Sequence, residues 1–382
     1  MTVLDLDPLR SRLALLGRPH TPADVATAMR AEGLIVTDSA VVDTVDALRR
    51  HSVGAGPLES LLREPGVTDI LVNGPAQVYV DRGHGLELTG VRFSDDSEVR
   101  RLAQRLAASV GRRLDDAVPF VDARLADGSR VHAVLGTLAA PGTCISLRVP
   151  AARTFTLEDC VRTGSVTPGG GELLRRLMHA KLSFLISGGT GSGKTTLLAA
   201  LLALVPTRER IVVVEDSREL DPLHPHVVRM EGRPANAERA GAVTLTDLVR
   251  QSLRMRPDRL VVGEVRGGEI ADLLAAMNTG HEGGCGTVHA NSASDVPARL
   301  EALGALGGLG RDALHAQVAS ALDVVVHIGR DAAGRRRVAE LSVFVRDERT
   351  GLTRTECAVA FVAGESPRRG PGCIQLEGLL NR

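Results

Sequence analysis

The stretch Gly188-Gly-Thr-Gly-Ser-Gly-Lys-Thr195 decides the fold. It matches the pattern G-x-x-x-x-G-K-[ST], and its flanks are those that the pattern requires. An apolar segment predicted to be a strand precedes it at residues 183–187, and an apolar segment predicted to be a helix occupies 195–205. The glycines let the backbone wrap with its N–H groups turned inward, and the dipole of the following helix attracts negative charge. The stretch therefore predicts a cradle for the β- and γ-phosphates of a nucleotide.

Two residues of this stretch carry the predicted chemistry. Lys194 supplies a compact charge on a flexible stem, which suits phosphate oxygens, and Thr195 offers its hydroxyl to Mg²⁺. The chain has 46 basic residues; two are lysines, Lys181 and Lys194, and the rest are arginines. Lys181 stands in no comparable pattern, so we expect an ordinary surface residue there. The residues of this stretch predicted to bind ATP with Mg²⁺ are Gly188, Gly189, Thr190, Gly191, Ser192, Gly193, Lys194, Thr195 and Thr196.

The chain changes character along its length. After residue 172, short apolar strands alternate with helical stretches, a rhythm typical of a parallel sheet with helices on both faces. The preceding part mixes short strands with an amphipathic helix, which predicts a smaller α+β domain. The predicted strands of the parallel sheet are 183–187, 211–214, 260–262, 286–289 and 324–328. The predicted divisions are a helical N-terminal extension at 1–56, the α+β domain at 57–150, a linker at 151–171, the α/β domain at 172–330, and a hairpin around 347–351 with a loose tail at 331–382.

Acidic residues follow two of the predicted parallel strands. Glu215 and Asp216 come directly after one strand, where an acid can orient water or Mg²⁺, although a loop cap explains the same pair equally well. A second strand ends in Gly263 and Glu264, whereas a generic P-loop ATPase carries Asp and then Glu at this place. Glu264 is therefore predicted to be the base that polarises the attacking water. Without the Asp, we expect Glu215 to assist the metal through water.

Two histidines lie in the segment Thr279-Gly-His-Glu-Gly-Gly-Cys-Gly-Thr-Val-His-Ala-Asn291. A lone histidine is more often structural than functional. These two, however, stand in a glycine-rich segment that runs into a strand of the predicted sheet, which favours a sensor of the γ-phosphate. We predict that role for His289, and both readings remain open for His281.

The overall composition argues against a nucleic-acid-binding protein. The 46 basic and 46 acidic residues give a formal net charge of zero, so the basic footprint of such proteins is missing. Six Phe, one Tyr and no Trp leave few aromatic platforms on which bases could stack. The five cysteines are scattered without a C-x-x-C pair, which argues against a zinc ribbon or a disulfide framework. The sequence carries neither a signal-peptide pattern nor an apolar stretch of membrane-spanning length, so we expect a cytoplasmic chain.

Taken in order, three segments resemble the ATPases of type II and type IV secretion systems. They are Arg256-Pro-Asp-Arg-Leu-Val-Val-Gly-Glu-Val-Arg-Gly-Gly-Glu269, Met277-Asn-Thr-Gly-His281 and Gly286-Thr-Val-His-Ala-Asn291. The sequence is most similar to the tight-adherence (Flp) pilus branch, which includes proteins labelled conjugal-transfer ATPases. The likeness runs from about residue 56 to 328. The extension-motor branch often carries a tetra-cysteine zinc motif, which this chain lacks.

The resemblance implies a RecA-like C-terminal domain, a PAS-like N-terminal domain, and ATP bound between them in a hexameric ring. It assigns Lys194 and Thr195 to the Walker A motif and Glu264 to the Walker B motif. It also places Glu215 in an acidic box and His289 in a histidine box. The expected catalytic residues are thus Glu264, Lys194, Glu215 and His289, and the expected metal-binding residues are Thr195 and Glu215.

In this family, arginines of the N-terminal domain also contact the nucleotide. The matching positions are Arg130 and Arg148, and Arg124 is a weaker match. Guanidinium groups form paired hydrogen bonds with phosphate oxygens. Arginines on a separate domain would therefore let ATP draw the two domains together.

The resemblance finally implies partners. These are further copies of the chain in a hexamer and an inner-membrane platform protein, which would hold the chain at the inner face of the cytoplasmic membrane; no direct nucleic-acid binding is expected. The alternative is a RecA-type helicase or translocase, which shares the P-loop and the ring. Its pore loops should be basic or aromatic. In the candidate segment 231–243, however, Arg233 and Arg239 are offset by Glu231 and Glu238, and no aromatic residue occurs.

Overall fold

The chain divides into two units, Met1–Ala152 and Arg153–Arg382. A computed structural model describes residues 9, 12–13, 21–34, 36–38, 40–42, 44–45, 55–83, 85–150, 154–233, 235, 240–331, 334–362 and 366–382. Among these residues, no helix is both long enough and apolar enough to cross a bilayer.

The first unit is built on a six-stranded antiparallel sheet with strand order β3-β2-β1-β6-β5-β4. Its strands are β1 (Asp69–Asn73), β2 (Gln77–Asp81), β3 (Leu86–Leu88), β4 (Phe120–Arg124), β5 (Arg130–Val134) and β6 (Cys144–Arg148). Its helices, in the described part of this unit, include α1 (Pro22–Ala31), α2 (Glu59–Leu62) and α3 (Asp96–Ala108). This confirms the predicted α+β character of the smaller domain.

Helix α3 covers one face of this sheet. It begins at Asp95, whose side chain accepts a hydrogen bond from the backbone N–H of Glu98 at 2.9 Å and so satisfies one free donor of the first turn. Val99, Leu102 and Leu106 recur at helical spacing and are buried among the apolar residues of β1, β5 and β6. The unit therefore has its own aliphatic core.

The second unit is built on a nine-stranded sheet with strand order β15-β14-β13-β12-β7-β11-β10-β8-β9. Its strands are β7 (Phe184–Gly188), β8 (Ile211–Glu215), β9 (Val227–Glu231), β10 (Arg259–Val265), β11 (Cys285–Val288), β12 (Val324–Arg330), β13 (Arg336–Arg346), β14 (Thr353–Ala360) and β15 (Arg368–Arg369). Its helices are α4 (Leu157–Arg162), α5 (Pro168–His179), α6 (Lys194–Leu202), α7 (Leu245–Ser252), α8 (Glu269–Met277), α9 (Val296–Leu306), α10 (Arg311–Ala321) and α11 (Cys373–Leu380).

Strands β7 to β12 run parallel, and β13 to β15 continue the sheet in antiparallel pairing. Helices pack on both faces of the sheet, and each face has its own apolar core. Successive residues of β7 point to the two cores in turn: Phe184 and Ile186 lie in one, and Leu185 lies in the other. A strand that is buried on both faces must be apolar throughout, which explains the run Ile211–Glu215 with Ile and three Val before its terminal acid. The predicted α/β class with helices on both faces is confirmed.

Two of the predicted divisions differ from the structure. The predicted linker 151–171 contains α4, which Thr156 and Asp159 start with reciprocal side-chain to backbone hydrogen bonds. The predicted end of the α/β domain at residue 330 is not a boundary either, because β13 pairs with β12 along the same sheet. Short helices and sheet extensions carry little periodic signal, so the sequence pattern did not indicate them.

The C-terminal region is more ordered than predicted. The strands β13 and β14 form a hairpin whose turn includes residues 347–351, as expected. The tail, predicted to be loose, includes α11, whose Leu376 and Leu379 are buried in the core of the second unit. The predicted helical extension 1–56 and the candidate pore segment 231–243 lie partly outside the described residues, the latter at 234 and 236–239.

Candidate functional site

The predicted phosphate-binding loop joins the carboxyl end of β7 to the start of α6. Gly191 and Gly193 have φ of +64° and +95°, a left-handed conformation that glycine adopts without the steric cost other residues meet. A Cβ atom on Gly188 would lie 2.5 Å from the carbonyl oxygen of Ile328 on β12, so a side chain at this position would push the strand away. The glycines predicted from the pattern are therefore required by geometry at both ends of the loop.

The side chain of Lys194 lies inside this loop. It is only 7% exposed, and its Nζ donates to the carbonyl oxygens of Gly188 and Gly189, each at 2.9 Å. Burial lowers the pKa of its ammonium, against an opposing effect of Glu264. The loop thus folds back on its own lysine and holds the charge where phosphate oxygens would bind.

His289 connects this lysine to Glu264. Its Nδ1 lies 3.3 Å from Lys194 Nζ, and its Nε2 is in close contact with Glu264 Oε1. Burial and the neighbouring Lys194 lower the pKa of His289 below its ordinary value, so the ring is neutral at pH 7. In a neutral ring, one tautomer lets Nδ1 accept from Lys194 and places Nε2–H beside Glu264 Oε1, which has no hydrogen-bond partner among the described residues. The predicted residues Lys194, His289 and Glu264 are therefore adjacent members of one network.

Arg266 completes the network, and the sequence patterns did not indicate it. Its Nε donates to Glu264 Oε2 at 2.6 Å, and its NH1 lies 3.9 Å from Asp216 Oδ2. Glu264 Oε2 is thus held by Arg266, whereas Oε1 lies against His289 and has no hydrogen-bond partner among the described residues. A role as base requires one of these contacts to open. The available signal was spacing: Arg266 stands two residues after Glu264 and one beyond the end of β10, so extended backbone at this point places both side chains on one face.

Glu215 lies beneath this network, where it is 4% exposed. Its Oε1 accepts from the backbone N–H groups of Glu219 and Leu220, both at 3.0 Å, so the loop-cap interpretation of this residue describes one of its oxygens. A Cβ atom on Gly263 would lie 2.5 Å from Glu215 Cγ and 3.0 Å from its Oε1. Glu215 therefore occupies the space in which an aspartate side chain at position 263 would begin.

Gly263→Ala should consequently destabilise the second unit and lower its activity. The added methyl group has nowhere to go unless Glu215 leaves its position, and overpacking of this kind costs about 1–3 kcal/mol. The free energy of unfolding in urea measures the effect. Gly378→Ala is a matched control, because Gly378 lies in α11 with open space where its Cβ would be.

A double variant identifies the cause of the loss. If Glu215 is the obstacle, Glu215→Ala combined with Gly263→Ala should lose less stability than the sum of the two single changes. Strict additivity would contradict the shared volume of these two residues.

The remaining loop residues suit a phosphate-bearing nucleotide with a metal ion. Ser192 Oγ is buried and, within the described residues, has no hydrogen-bond partner, which leaves a hydroxyl available inside the loop. Thr195 Oγ1 donates to Glu219 Oε2 at 3.5 Å, so this hydroxyl stands beside a carboxylate as a magnesium ligand would. The other predicted positions, Gly189, Thr190, Gly191 and Thr196, are exposed along the loop and the first turn of α6. Within the described part of the chain, no group of three or more His, Cys, Asp or Glu residues could hold a metal ion.

His281 lies outside this network. Its Nδ1 is 3.2 Å from the carbonyl oxygen of Ala276 near the end of α8, which is the structural role left open above. A third histidine, His327 on β12, was not singled out from the sequence. Its Nδ1 pairs with Ser187 Oγ at 2.9 Å immediately before the loop, and burial lowers its pKa. This buried pair ties β12 to β7 at the point where the loop begins.

The three predicted arginines of the first unit lie in one row. Arg124 is the register partner of Arg130, and Arg130 is the partner of Arg148, on adjacent strands β4, β5 and β6. Directly paired residues share a face of the sheet, so these arginines project on the same side. Arg148 also pairs with Asp69 on β1, which places an acid at the end of the row. Like charges in direct register are unfavourable unless an anion or acid offsets them.

Comparison with known proteins identifies the family of this chain. The family model described as "Type II/IV secretion system protein" matches residues 51–366. The chain belongs to the type II/IV secretion system protein family. The resemblance predicted from the motifs is thereby confirmed, and the family match extends into the antiparallel part of the sheet.

Individual relatives differ in their degree of similarity. A putative conjugal transfer protein of Mycobacterium tuberculosis is 55% identical over 317 residues, covering 81% of this chain and 90% of that protein. The type IV secretion system protein PtlH of Bordetella pertussis is 35% identical over 315 residues, covering 74% of this chain and 92% of that protein. The crystal structure of the pilus retraction motor PilT with bound ADP matches with a TM-score of 0.55 at 22% identity, covering 74% of this chain and 81% of PilT. At that identity the match to PilT shows the shared fold.

Proposed function

We propose that this chain is an ATPase that drives a type IV secretion, conjugal-transfer or pilus-assembly machine. The observation that carries the proposal is the contact chain from Lys194 of the phosphate-binding loop through His289, after β11, to Glu264 on β10. It joins a phosphate-binding cation, a neutral histidine and a carboxylate base at the carboxyl edge of a parallel sheet, where α/β proteins bind their ligands. The relatives named for conjugal transfer and type IV secretion supply the biological setting.

In the proposed mechanism, site residues exchange contacts within the protein for contacts with the nucleotide, the metal ion or water. Lys194 would replace the carbonyl oxygens of Gly188 and Gly189 with phosphate oxygens. Thr195 would hold Mg²⁺, with Glu215 assisting through water, and the bound ion would neutralise charge on the phosphates. Glu264 would then orient and polarise the attacking water after Arg266 releases one of its oxygens.

His289 is positioned to report whether the γ-phosphate is present. It contacts both Lys194 and Glu264, so a movement of Lys194 toward phosphate changes the partner of its Nδ1 while its Nε2–H still faces the base. The ring must be neutral for this arrangement. The pKa of His289 is lowered from 6.5, so the neutral form is present at pH 7 and is lost as the pH falls through the lowered pKa.

Acidification should therefore inhibit ATP hydrolysis through His289. We expect kcat to fall about tenfold for each pH unit below the pKa of this ring, because a protonated imidazole is a cation beside Glu264 and weakens that carboxylate as a base. His289→Asn should be slow at all pH values and should lack this acidic limb. His281→Asn, a change at a histidine outside the network, should keep the wild-type profile, and a His289→Asn profile parallel to wild type would contradict the role.

The motor itself would be a homo-hexamer. Arg124, Arg130 and Arg148 would reach the nucleotide from the first unit, so that ATP binding and hydrolysis close and open the pair of domains. That motion would act on an inner-membrane platform protein, and the chain would be held at the cytoplasmic face of the membrane by this partner. The proposal includes membership of the tight-adherence pilus branch of the family, to which the sequence motifs are most similar.

The test uses the full chain in three measurements. Phosphate release should depend on both ATP and Mg²⁺, and mass photometry with ATP should show a six-chain species. Cross-linking in membranes of the native host, followed by mass spectrometry, should recover a polytopic membrane protein. If no membrane protein is recovered under conditions in which the chain hydrolyses ATP, the chain is an ATPase but does not act on the proposed membrane machine.

The phosphate-release assay also tests the alternative function, a nucleic-acid motor. We expect single-stranded and duplex DNA to leave ATP hydrolysis unchanged at physiological salt, because the chain has no net positive charge and few aromatic residues. Stimulation of many fold by DNA would instead support the RecA-type helicase or translocase.

A further inference from the structure

A second candidate site lies at the end of the large sheet that is opposite the phosphate-binding loop. The loop follows the carboxyl end of β7, whereas this cavity, of about 580 Å³, opens at the amino-terminal ends of β8 and β10. None of the residues that line this cavity belongs to the proposed nucleotide site. The charged residues that line it are Lys181, Arg208, Glu209, Arg210, Arg256 and Asp258.

The two acids of this cavity are already engaged. Glu209 Oε2 accepts from Arg259 Nε at 2.7 Å, and Asp258 Oδ2 accepts from the backbone N–H of Arg210, also at 2.7 Å. The lining therefore has an excess of positive charge.

The lining also has four cationic side chains that are not ion-paired within the described residues: Lys181, Arg208, Arg210 and Arg256. None of their side chains forms an ion pair with a carboxylate anywhere in the described chain. Arg210 NH1 contacts His226 Nε2 at 3.2 Å, and Arg210 Nε is buried without a hydrogen-bond partner among the described residues. Such a group is costly to leave unsatisfied, so the cavity is short of acceptors.

Two of the cations hold unusual backbone conformations. Lys181 and Arg256 have φ of +55° and +53°, and within the described residues they are the non-glycine positions with positive φ. Lys181 follows helix α5, and Arg256 follows a 3₁₀ turn at Leu253–Met255. Glycine is the usual residue at such helix ends, since any Cβ is strained there.

The electrostatic preference of a helix end for a cation does not explain this choice. A lysine or arginine one or two positions earlier, in ordinary helical conformation, would interact with the same carbonyl groups. Here two separate helix ends carry a long cation in a strained conformation, and both side chains line the same cavity. Strain of this kind clusters at functional sites.

A buried arginine supports the cavity from behind. Arg259 is 1% exposed; its Nε and NH2 bind Glu209 and the carbonyl oxygen of Met178, while its NH1 has no hydrogen-bond partner among the described residues. A Cβ on Gly283 would lie 2.6 Å from that NH1 and 2.7 Å from Lys181 Cγ, so this glycine lets the two cations approach each other. Arg259 thereby neutralises Glu209, so this acid does not offset the four cations of the lining.

We propose that this cavity binds a polyvalent phosphate anion, independently of the nucleotide site. Guanidinium groups pair with phosphate oxygens through two parallel hydrogen bonds, and the lysine adds a point charge. An anion with several charges and acceptor oxygens would supply what Arg210 and its neighbours lack. It would also offset the strain at Lys181 and Arg256 in the occupied state.

The probe is inorganic pyrophosphate, added to the full chain carrying Lys194→Ala so that the phosphate-binding loop contributes little. We expect pyrophosphate to raise the Tm of this protein by several degrees, with saturable heat in calorimetric titration. Adding Lys181→Gly and Arg256→Gly should abolish the rise and weaken binding at least tenfold. These two changes should leave the Tm without pyrophosphate equal or higher, because glycine removes the backbone strain.

The unliganded Tm is the readout that separates lost binding from lost folding. Arg254→Ala is the matched control, since Arg254 is an exposed arginine of the same 3₁₀ turn that does not line the cavity, and it should keep the full response. An unchanged pyrophosphate response in the double glycine variant would overturn the proposal. So would tighter binding of a hexaglutamate peptide than of pyrophosphate, which would identify a carboxylate-bearing partner instead.

Discussion

Glu264→Gln should stop ATP turnover while ATP still binds. Glutamine keeps the length and shape of the side chain, and its oxygen can still accept from Arg266 or His289, but it cannot polarise water as a carboxylate does. Loss of a positioned base lowers kcat by about 10²–10⁴-fold. Steady-state phosphate release measures the loss, and fluorescence titration with a labelled ATP analogue measures binding, which we expect to remain within about threefold of wild type.

A surface glutamate provides the control for this experiment. Glu348 lies exposed in the turn between β13 and β14, so Glu348→Gln changes the same functional group far from the loop and should leave both measurements unaltered. Full turnover by Glu264→Gln would remove the catalytic assignment. The network would then have to act through Arg266 or His289 alone.

Lys194→Ala should abolish binding and turnover together. The variant loses the charge-assisted hydrogen bonds to phosphate, each worth about 1.5–3 kcal/mol, so ATP affinity should fall by about two orders of magnitude or more. Lys194→Arg should not restore it, because the planar guanidinium does not fit between the carbonyl oxygens of Gly188 and Gly189 that now hold the ammonium.

The two variants are distinguished by where they fail. Glu264→Gln should retain nucleotide and stabilise any assembly that ATP promotes, whereas Lys194→Ala should behave as a nucleotide-free chain. A Lys194→Ala protein that binds ATP normally would show that the loop is not the phosphate site. Circular dichroism of both variants checks that the loss is not one of folding.

Much of the fold and part of the site follow from the sequence because their signals are local. The glycine spacing around Lys194 requires a strand before it and a helix after it, and the structure has both. Glu264 and His289 were each predicted separately from their places at strand ends. Parallel strands bring their carboxyl ends to one edge, so this prediction required only the order of elements along the chain.

The rest depended on contacts that no local pattern encodes. The role of Arg266 follows from the hydrogen bond between its guanidinium group and Glu264, which the sequence does not reveal. The close approach of Gly263 and Glu215 likewise depends on the spacing of β10 and β8. The row of three arginines in the first unit is a consequence of strand register. Register is set by the whole sheet, so Arg124 could not be ranked beside its neighbours from sequence alone.

The folding of the loop onto Lys194 has a consequence for the later part of the cycle. Two carbonyl oxygens compete with phosphate for the same ammonium, and they are tethered by the chain at a very high effective concentration. If the chain hydrolyses ATP as proposed, this internal competitor would reclaim the lysine one hydrogen bond at a time once the γ-phosphate has been removed. Departure of ADP would then leave no unpaired ammonium in a partly buried place, which would lower the barrier to product release, a step that limits the rate of many enzymes.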